Sequence, residues 1–323
     1  MHDNDGFQRN LAAIAGRVAF LRDLPDGTIH ERPDSMHNLL IRKIGTRLEL
    51  VFLGGQSREV ISDFDYANPL DLYADFTQVM TLGLLWKPEP SRVYVLGFGA
   101  GRVPMVLHHH FPKVRIESTD IDGDVVAAAH EFCGILPDER QQIFVEDGRR
   151  YLAGRGPDVQ YDIIMVDAFR GVGYSPPLLA TLEFYQTCKG HLVSNGVVVV
   201  NLMGYDYLIK EKIKALKVCF NAVFCIPLPS DGTVVMFASD NDSLGRSELF
   251  ERARVIAKQH EFVFPFVEHA IHLQEVSQMP ELAAALVGVE PLSDSAASQP
   301  PPPNPTASGS STPPQASGTA GNR

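Results

Sequence analysis

Aspartates follow successive predicted strands in the middle of this chain, and a glycine loop precedes them. Val93–Leu96 is an apolar run typical of a buried strand, and it leads directly into Gly97, Gly99 and Gly101. A loop without side chains turns sharply and lets a ligand lie against its backbone. Asp120 ends the next predicted strand about twenty residues later, where nucleotide-binding α/β folds place the acid that holds a ribose.

The spacing of the glycines narrows the class of ligand. The dinucleotide fingerprint GxGxxG fails because Arg102 stands at its last glycine position. The remaining pattern, GxGxG, favours an S-adenosylmethionine-type nucleoside over NAD.

The acids at the predicted strand ends can each serve such a nucleoside, because ligands of open α/β sheets bind beyond the carboxyl ends of the strands. Asp120 can accept both ribose hydroxyls, with Asp122 beside it as a second acid or a helix cap. Asp147 can accept the exocyclic amine of adenine, and Asp167 faces the place where a sulfonium carbon is attacked. A cap or a turn explains each aspartate alone, but not their occurrence at successive strand ends.

The elements that must position these acids alternate between strand and helix from Arg92 to Ser239. This alternation predicts a doubly wound, mostly parallel α/β sheet with Val93–Leu96 at its centre and a terminal antiparallel hairpin. The chain before about Asp63 is predicted to be β-structure, with strands at Leu39–Ile44 and Arg47–Phe52 joined by a turn at Gly45-Thr46. A further strand is predicted at Glu59–Ser62, and a helix at Leu70–Leu85.

These elements predict five regions. They are a β-rich domain at 1–65, a connecting helix and linker at 66–91, a nucleoside-binding domain at 92–240, a helical extension at 241–292, and a disordered Pro/Ser/Ala-rich tail at 293–323. The tail has almost no large apolar residues, so it cannot bury enough surface to offset the entropy of ordering it.

Charge and composition exclude several classes of function. The formal net charge is −11, and an acidic protein without a basic patch repels nucleic acid. No apolar run is long enough to span a bilayer, and the polar start does not resemble a signal peptide. The four cysteines form no CxxC pair and are predicted to be buried thiols. We therefore expect a cytoplasmic protein without nucleic-acid or membrane partners.

Three consecutive histidines, His108, His109 and His110, could suggest a metal site. Consecutive positions of a helix point in different directions and cannot converge on one ion. No metal site is predicted.

Several motifs together resemble the polyamine aminopropyltransferases, the spermidine synthase family. The resemblance spans about Asp26 to Asp240. The motifs of the second region are Val93–Gly101, Asp120-Ile121-Asp122, Asp138, Val145–Arg149, Tyr161–Asp167, Glu183-Phe184-Tyr185 and Gly196–Val200. Those of the N-terminal β-domain are Ser35–Asn38 and Leu53–Ser57.

The resemblance implies a Rossmann-like S-adenosylmethionine-dependent methyltransferase fold with a small N-terminal β-domain, in a homodimer. It implies a transferase that passes an aminopropyl group from decarboxylated S-adenosylmethionine to a small amine, with no permanently bound cofactor. By this likeness Gln56, Asp120, Asp147 and Gly148 contact the nucleoside. Asp167 is then the catalytic residue, either a base or the carboxylate that orients the amine.

The chain departs from the family pattern at three places. Ala100 replaces an aspartate of the glycine loop, and Tyr73-Ala74 stands where the family has Tyr-His. The active-site segment ends at Arg170, where the family has a second carboxylate. Tyr73, Asp75 and Arg170 are nevertheless assigned to acceptor binding. Loss of carboxylates weakens an ammonium site, although Asp75 or acids at positions 63, 65 and 71 can compensate.

Two alternatives remain open. A methyltransferase using intact S-adenosylmethionine would pair the carboxylate of that donor with Arg170. A catalytically silent homologue would bind a nucleoside or partner without transferring a group.

Overall fold

The computed structural model of the protein describes residues 4–54, 57–169 and 175–299. Within these ranges the strands form one sheet of four strands and one of eight. The strands are β1 (Gly27–Arg32), β2 (Leu39–Ile44), β3 (Arg47–Gly54), β4 (Ser57–Asp65), β5 (Arg92–Leu96), β6 (Arg115–Asp120), β7 (Gln141–Val145), β8 (Tyr161–Val166), β9 (Leu192–Met203), β10 (Ala222–Leu228), β11 (Thr233–Ser239) and β12 (Gln274–Glu275). The helices are α1 (Asn4–Arg17), α2 (Asp75–Met80), α3 (Arg102–His110), α4 (Gly123–Phe132), α5 (Gly148–Ala153), α6 (Leu182–Gly190), α7 (Ile209–Cys219), α8 (Arg246–His260), α9 (Phe266–Ile271), α10 (Pro280–Ala285) and α11 (Asp294–Ala297).

The smaller sheet is antiparallel and runs β1 to β4 in chain order. Gly45 has φ +61° between β2 and β3, and Ile44 pairs with Arg47 across the turn. The left-handed φ suits glycine, and the predicted hairpin is confirmed. The strand predicted at Glu59–Ser62 lies within β4.

The prediction of β-structure from the first residue onward is wrong for α1. Leu11, Ile14 and Val18 follow the i, i+3, i+7 spacing of one helix face and join the apolar cluster shared by the N-terminal sheet and α4. This periodicity is visible in the sequence and identifies the helix.

The helix predicted at Leu70–Leu85 is shorter than expected. α2 begins at Asp75, and a 3-10 turn at Thr81–Leu85 follows it. The buried guanidinium of Arg102 donates to the carbonyl oxygens of Pro69 and Asp71, each at 2.7 Å. The chain from 66 to 74 forms bends and a turn, in which the N–H of Asp71 donates to the carbonyl oxygen of Asn68 at 3.0 Å, and the helix begins only at Asp75.

The larger sheet has the order β12-β10-β11-β9-β8-β5-β6-β7. The strands from β9 to β7 are parallel, with β5 in their middle, whereas β11, β10 and β12 are antiparallel. The predicted parallel sheet and terminal hairpin are confirmed, and β12 adds an edge strand that was not predicted. The carboxyl ends of β5, β6, β7 and β8 therefore lie side by side.

Apolar residues cover both faces of this sheet. Alternate residues of β5 face opposite sides, since Val93 and Val95 join one cluster while Tyr94 and Leu96 join the other. Helix α8 contributes Leu249, Ala253 and Ile256 to the first cluster. The strand ends that form the site thus project from a close-packed layer.

The last described residues are part of the fold. Asp294 lies in α11, inside the region predicted to be a disordered tail from residue 293. Its carboxylate accepts two hydrogen bonds from Arg149, at 2.8 and 2.6 Å. The tail prediction is therefore wrong for residues 293–299, and residues 300–323 lie outside the described part of the chain.

None of the helices in the described ranges has both the length and the apolar character needed to cross a membrane.

Candidate functional site

The glycine loop after β5 needs glycine because its backbone has positive φ angles and because a Cβ atom at positions 97 and 101 would collide with neighbouring atoms. Gly97 has φ +93°, and a Cβ atom there would lie 2.0 Å from the carbonyl oxygen of Asp167. Gly101 has φ +66°, and its Cβ would lie 2.7 Å from side-chain atoms of Ile135 and Phe98. Gly99 has φ +52° but more open surroundings. Glycine at position 97 thus lets the loop lie directly against the backbone of Asp167.

Asp120 at the end of β6 holds this loop in place. Its Oδ2 accepts the backbone N–H groups of Phe98 and Gly99, both at 3.0 Å, and its Oδ1 accepts that of Asp122 at 3.0 Å. Burial raises the pKa of Asp120, and these three backbone hydrogen bonds act against that rise. A carboxylate has about four lone-pair positions, so Asp120 retains capacity for a ligand hydroxyl.

Ser62 of β4 holds the other side of the loop. Its Oγ accepts the backbone N–H of Ala100 at 3.2 Å. The N-terminal sheet therefore helps to shape the glycine loop, a contact that the sequence did not predict.

Asp122 is buried, and both of its oxygens have partners within the protein. Oδ1 accepts the N–H of Asp124 at 2.9 Å and caps α4, while Oδ2 lies 2.9 Å from Nδ1 of His37. The His37 ring stacks on Phe52 with a centroid distance of 4.4 Å. Asp122 thus joins the two sheets, and its predicted contact with the nucleoside stays a prediction.

Asp147 and Gly148 follow β7 and begin α5. Asp147 Oδ1 caps the helix by accepting the N–H of Arg150 at 2.9 Å. A Cβ on Gly148 would lie 2.3 Å from Leu96 and 2.7 Å from Oγ1 of Thr119, so glycine lets α5 approach the sheet closely. α5 was not predicted from the sequence.

Two exposed apolar side chains lie between the predicted ribose and adenine positions. Ile121, directly after β6, is 45% exposed, and Val145 at the end of β7 is 58% exposed. Apolar side chains at the carboxyl ends of parallel strands provide walls for a flat ring. Sequence reasoning missed them, although Ile121 stands between Asp120 and Asp122 and Val145 lies two residues before Asp147.

Asp167 follows β8, and Asn201 of β9 lies beside it. The Asn201 amide, which is 2% exposed, donates to Oδ1 of Asp167 at 3.0 Å. Burial raises the pKa of Asp167 to about 6, and the hydrogen bond from Asn201 opposes that rise. A polar residue inside the run Val197–Met203 was a signal for this partner.

A cleft of about 420 Å³ opens next to the glycine loop, between β3, β4 and the start of α2. Ser62 and Arg102 line its inner wall. Tyr73 and Asp75, both predicted to bind the acceptor, also line it, as does Asp231 from the β10–β11 turn. Asp231 accepts the backbone N–H of Phe76 at 3.2 Å, which fixes the start of α2.

Two predicted site residues, Gln56 and Arg170, lie outside the described residues. The chain next to residues 170–174 is held by buried or partly buried cations. Lys212 donates to the carbonyl oxygen of Ser175 at 3.3 Å, and Arg149 to that of Leu178 at 2.7 Å.

The consecutive histidines have different further partners, although the rings of His109 and His110 contact each other at a centroid distance of 5.3 Å. His108 Nε2 lies 2.8 Å from Asp138, His109 Nδ1 lies 3.3 Å from the Asn10 amide, and the His110 ring packs against Phe262. Within the described part of the chain, no three His, Cys, Asp or Glu residues are grouped to hold a metal ion.

A glycine loop after a central parallel strand, with carboxylates after the next strands, defines the Rossmann-like class found in S-adenosylmethionine-dependent methyltransferases. Within this class the family is also shown. The family model for the spermine/spermidine synthase domain matches residues 75–245, more than half of the chain, and the protein belongs to this family.

The curated relatives include both a methyltransferase and an aminopropyltransferase. The chain is 31% identical over 196 residues to the eEF1A lysine and N-terminal methyltransferase of Mus musculus, covering 56% of this chain and 28% of that protein. It is 28% identical over 203 residues to the polyamine aminopropyltransferase of Vibrio vulnificus, covering 62% of this chain and 68% of that protein. The match thus spans little more than a quarter of the mouse protein.

Solved structures have the same fold. A probable spermidine synthase from Corynebacterium glutamicum matches with a TM-score of 0.66 and 17% identity, over 86% of this chain and all of that one. Human methyltransferase-like protein 13 in complex with SAH matches with a TM-score of 0.54 and 25% identity. The match covers 58% of this chain and 93% of that one. A spermidine synthase in complex with the transition state analogue AdoDATO matches with a TM-score of 0.58 and 19% identity. The match covers 80% of this chain and 88% of that one.

Proposed function

We propose that this protein is a transferase that moves an aminopropyl group from decarboxylated S-adenosylmethionine to a small amine. The observation that supports this most is the contact between Gly97 and Asp167. The loop suited to a nucleoside lies directly against the residue that carries a carboxylate with a pKa of about 6. Donor and acceptor groups are therefore proposed to meet at this point.

The proposed binding site of the donor nucleoside is formed by residues at the carboxyl ends of the strands. Asp120 would accept one ribose hydroxyl at its remaining lone-pair position, Asp147 would accept a hydrogen bond from the adenine amine, and Ile121 and Val145 would pack against the ring. The neighbours described with SAH and with AdoDATO support a sulfonium nucleoside of this type. The nucleoside is a substrate, and no permanently bound cofactor is proposed.

The chemistry is an in-line displacement. The lone pair of the acceptor nitrogen forms a bond to the carbon next to the sulfonium, and the carbon–sulfur bond breaks with its electrons passing to sulfur. The products are the alkylated amine and 5′-methylthioadenosine. Asp167 would accept the proton that the nitrogen loses or orient the amine for attack, a contribution typically of about 10²–10⁴-fold in rate.

The proposed binding site of the acceptor amine is the cleft beside the glycine loop. Tyr73 provides an exposed aromatic wall, and Asp75 and Asp231 provide carboxylates. This combination suits a small cationic amine. A homodimer in the cytoplasm remains the expectation.

A second candidate, methyl transfer from intact S-adenosylmethionine, is favoured by Ala100. This residue is fully buried, and its backbone N–H is bonded to Ser62. The loop therefore lacks, at this position, the carboxylate that the aminopropyltransferase pattern has, which weakens the assignment to aminopropyl transfer. The likeness to the mouse methyltransferase supports the same alternative.

The two reactions are separated by their products. The purified protein is incubated with each donor and with putrescine or spermidine, and products are identified by mass spectrometry. We expect 5′-methylthioadenosine and an aminopropylated amine, with Asp124→Asn, at a half-buried acid in the first turn of α4, as an unaffected control. Formation of methylated amine instead would favour the second candidate. Tight binding of 5′-methylthioadenosine without turnover of any tested pair would point to a catalytically silent homologue.

A further inference from the structure

The acceptor cleft contains a cation that belongs to the protein itself. Arg47 of β3 extends into the cleft, and its guanidinium carbon lies 3.5 Å from the centroid of the Tyr73 ring. This distance places the charge directly over the aromatic face, the geometry of a close cation–π contact.

Carboxylates complete the surroundings of this guanidinium. Nη2 of Arg47 lies 3.4 Å from Oδ2 of Asp63 and 3.8 Å from Oε1 of Glu49. Asp63 and Glu49 are both buried. An aromatic face and buried carboxylates are the groups that a substrate ammonium would use.

The contacts of Arg47 are looser than those of neighbouring arginines. Arg42 donates to Oε2 of Glu49 with two nitrogens, at 3.0 and 2.6 Å, and therefore already pairs this acid. The Nε atom of Arg47 is buried without a hydrogen-bond partner among the described residues. Arg47 is thus held by its charge and by the Tyr73 ring more than by a fitted set of hydrogen bonds.

We propose that Arg47 occupies the cation-binding part of the acceptor cleft and limits which amines can bind there. The inference rests on the proposed function, because it takes the acceptor to be an amine. A diamine or polyamine entering the cleft must displace the guanidinium from Tyr73 and Asp63. Acceptors that cannot do so are rejected, so Arg47 is a specificity-determining residue.

The test compares binding of putrescine and spermidine to the full-length protein by calorimetry. Arg47→Met removes the charge and keeps the length of the side chain. We expect spermidine to bind about two- to fivefold more tightly to this variant, the size of one solvent-exposed cation–π contact. Arg115→Met is the control, because Arg115 is an exposed arginine at the start of β6 and does not line the cleft. It should leave the affinity unchanged.

A second variant guards against misfolding. Arg47→Gln keeps a hydrogen-bond donor for Asp63, and spermidine should raise its thermal midpoint more than that of the parent. The double variant Arg47→Gln with Tyr73→Leu should lose this gain. Unchanged or weaker amine binding in both single variants would overturn the proposal and would indicate that Arg47 is structural or binds an anionic acceptor.

Measurement of turnover separates this inference from the proposed function. If the parent transfers a group to an amine but the Arg47 variants bind amines no better, the inference fails and the function stands. If no variant transfers a group but the variants bind spermidine more tightly, the cation site stands and the proposed reaction fails.

Discussion

Asp167 is half-buried, and among the described residues its carboxylate has one hydrogen-bonding side chain, Asn201. Asn201 stabilises its ionised form, but burial outweighs this hydrogen bond and raises the pKa to about 6. The carboxylate is therefore ionised at neutral pH and close enough to neutrality to exchange a proton. Residues placed in this way are candidates for general acid–base chemistry.

Asp167→Asn should stabilise the protein while removing its proposed activity. The folded pKa lies above the unfolded value of about 3.9, so ionised Asp167 destabilises the folded state at neutral pH. Asparagine removes this charge and keeps an oxygen that can accept from Asn201. We expect the free energy of unfolding at pH 7 to rise by about 3 kcal/mol, with transfer reduced by at least about 10²-fold.

The pH profile provides a second readout for the same residue. Transfer by the parent should fall as the pH drops through about 6, because protonated Asp167 accepts no proton. The stability penalty should also fade as the pH drops from 6 towards 4. A parent profile without an inflection near pH 6, or an Asp167→Asn variant less stable than the parent, would contradict this account.

The loop after β5 and the end of β6 act as one unit. Asp120 is in contact with two backbone N–H groups of the loop, while Ser62 of the N-terminal sheet is in contact with a third. The shape of the loop thus depends on two elements that the sequence separates from it by about twenty and about forty residues.

Asp120→Asn should weaken donor binding by about 1–3 kcal/mol, because an amide group turned towards the loop can leave buried N–H groups without an acceptor. Ser62→Ala should have a smaller effect of about 1 kcal/mol, since one neutral hydrogen bond is lost. Calorimetry with 5′-methylthioadenosine measures both. Equal affinity of parent and Asp120→Asn would place the nucleoside elsewhere.

The molecule as a whole is held together by contacts between distant parts of the chain. Asp122 joins His37 of the N-terminal region, and Arg102 joins the connection before α2. At the other end, the carbonyl oxygen of Leu292 accepts the N–H of Leu182 and the N–H of Leu292 donates to the carbonyl oxygen of Glu211, while Asp294 accepts from Arg149. The residues after 291 therefore hold α5, α6 and α7 together.

Two truncations test this fastening. A protein ending at residue 299 should keep the thermal midpoint of the parent, because it retains every contact of Leu292 and Asp294 described above. One ending at residue 291 loses these contacts and leaves the Arg149 guanidinium without its carboxylate. We expect it to lose about 1–3 kcal/mol, or several degrees in thermal midpoint. Equal midpoints for the two truncations would show that the segment is dispensable.

The sequence by itself determined the α/β class, the order of the central strands and helices, and the positions of Gly97, Asp120, Asp147 and Asp167 at strand ends. These features follow from local rules. Apolar periodicity distinguishes strand from helix, glycine permits left-handed backbone, and parallel strands bring their carboxyl ends to one edge.

Only the tertiary structure decided which partners the polar side chains have. In the folded protein Asn201 contacts Asp167, and His37 contacts Asp122. Arg47 contacts both Tyr73 and Asp63. The members of these pairs lie from 16 to 85 residues apart along the chain. Their proximity depends on how sheets and connections pack, because hydrogen bonds and ion pairs act over a few ångströms in space whatever the separation in sequence.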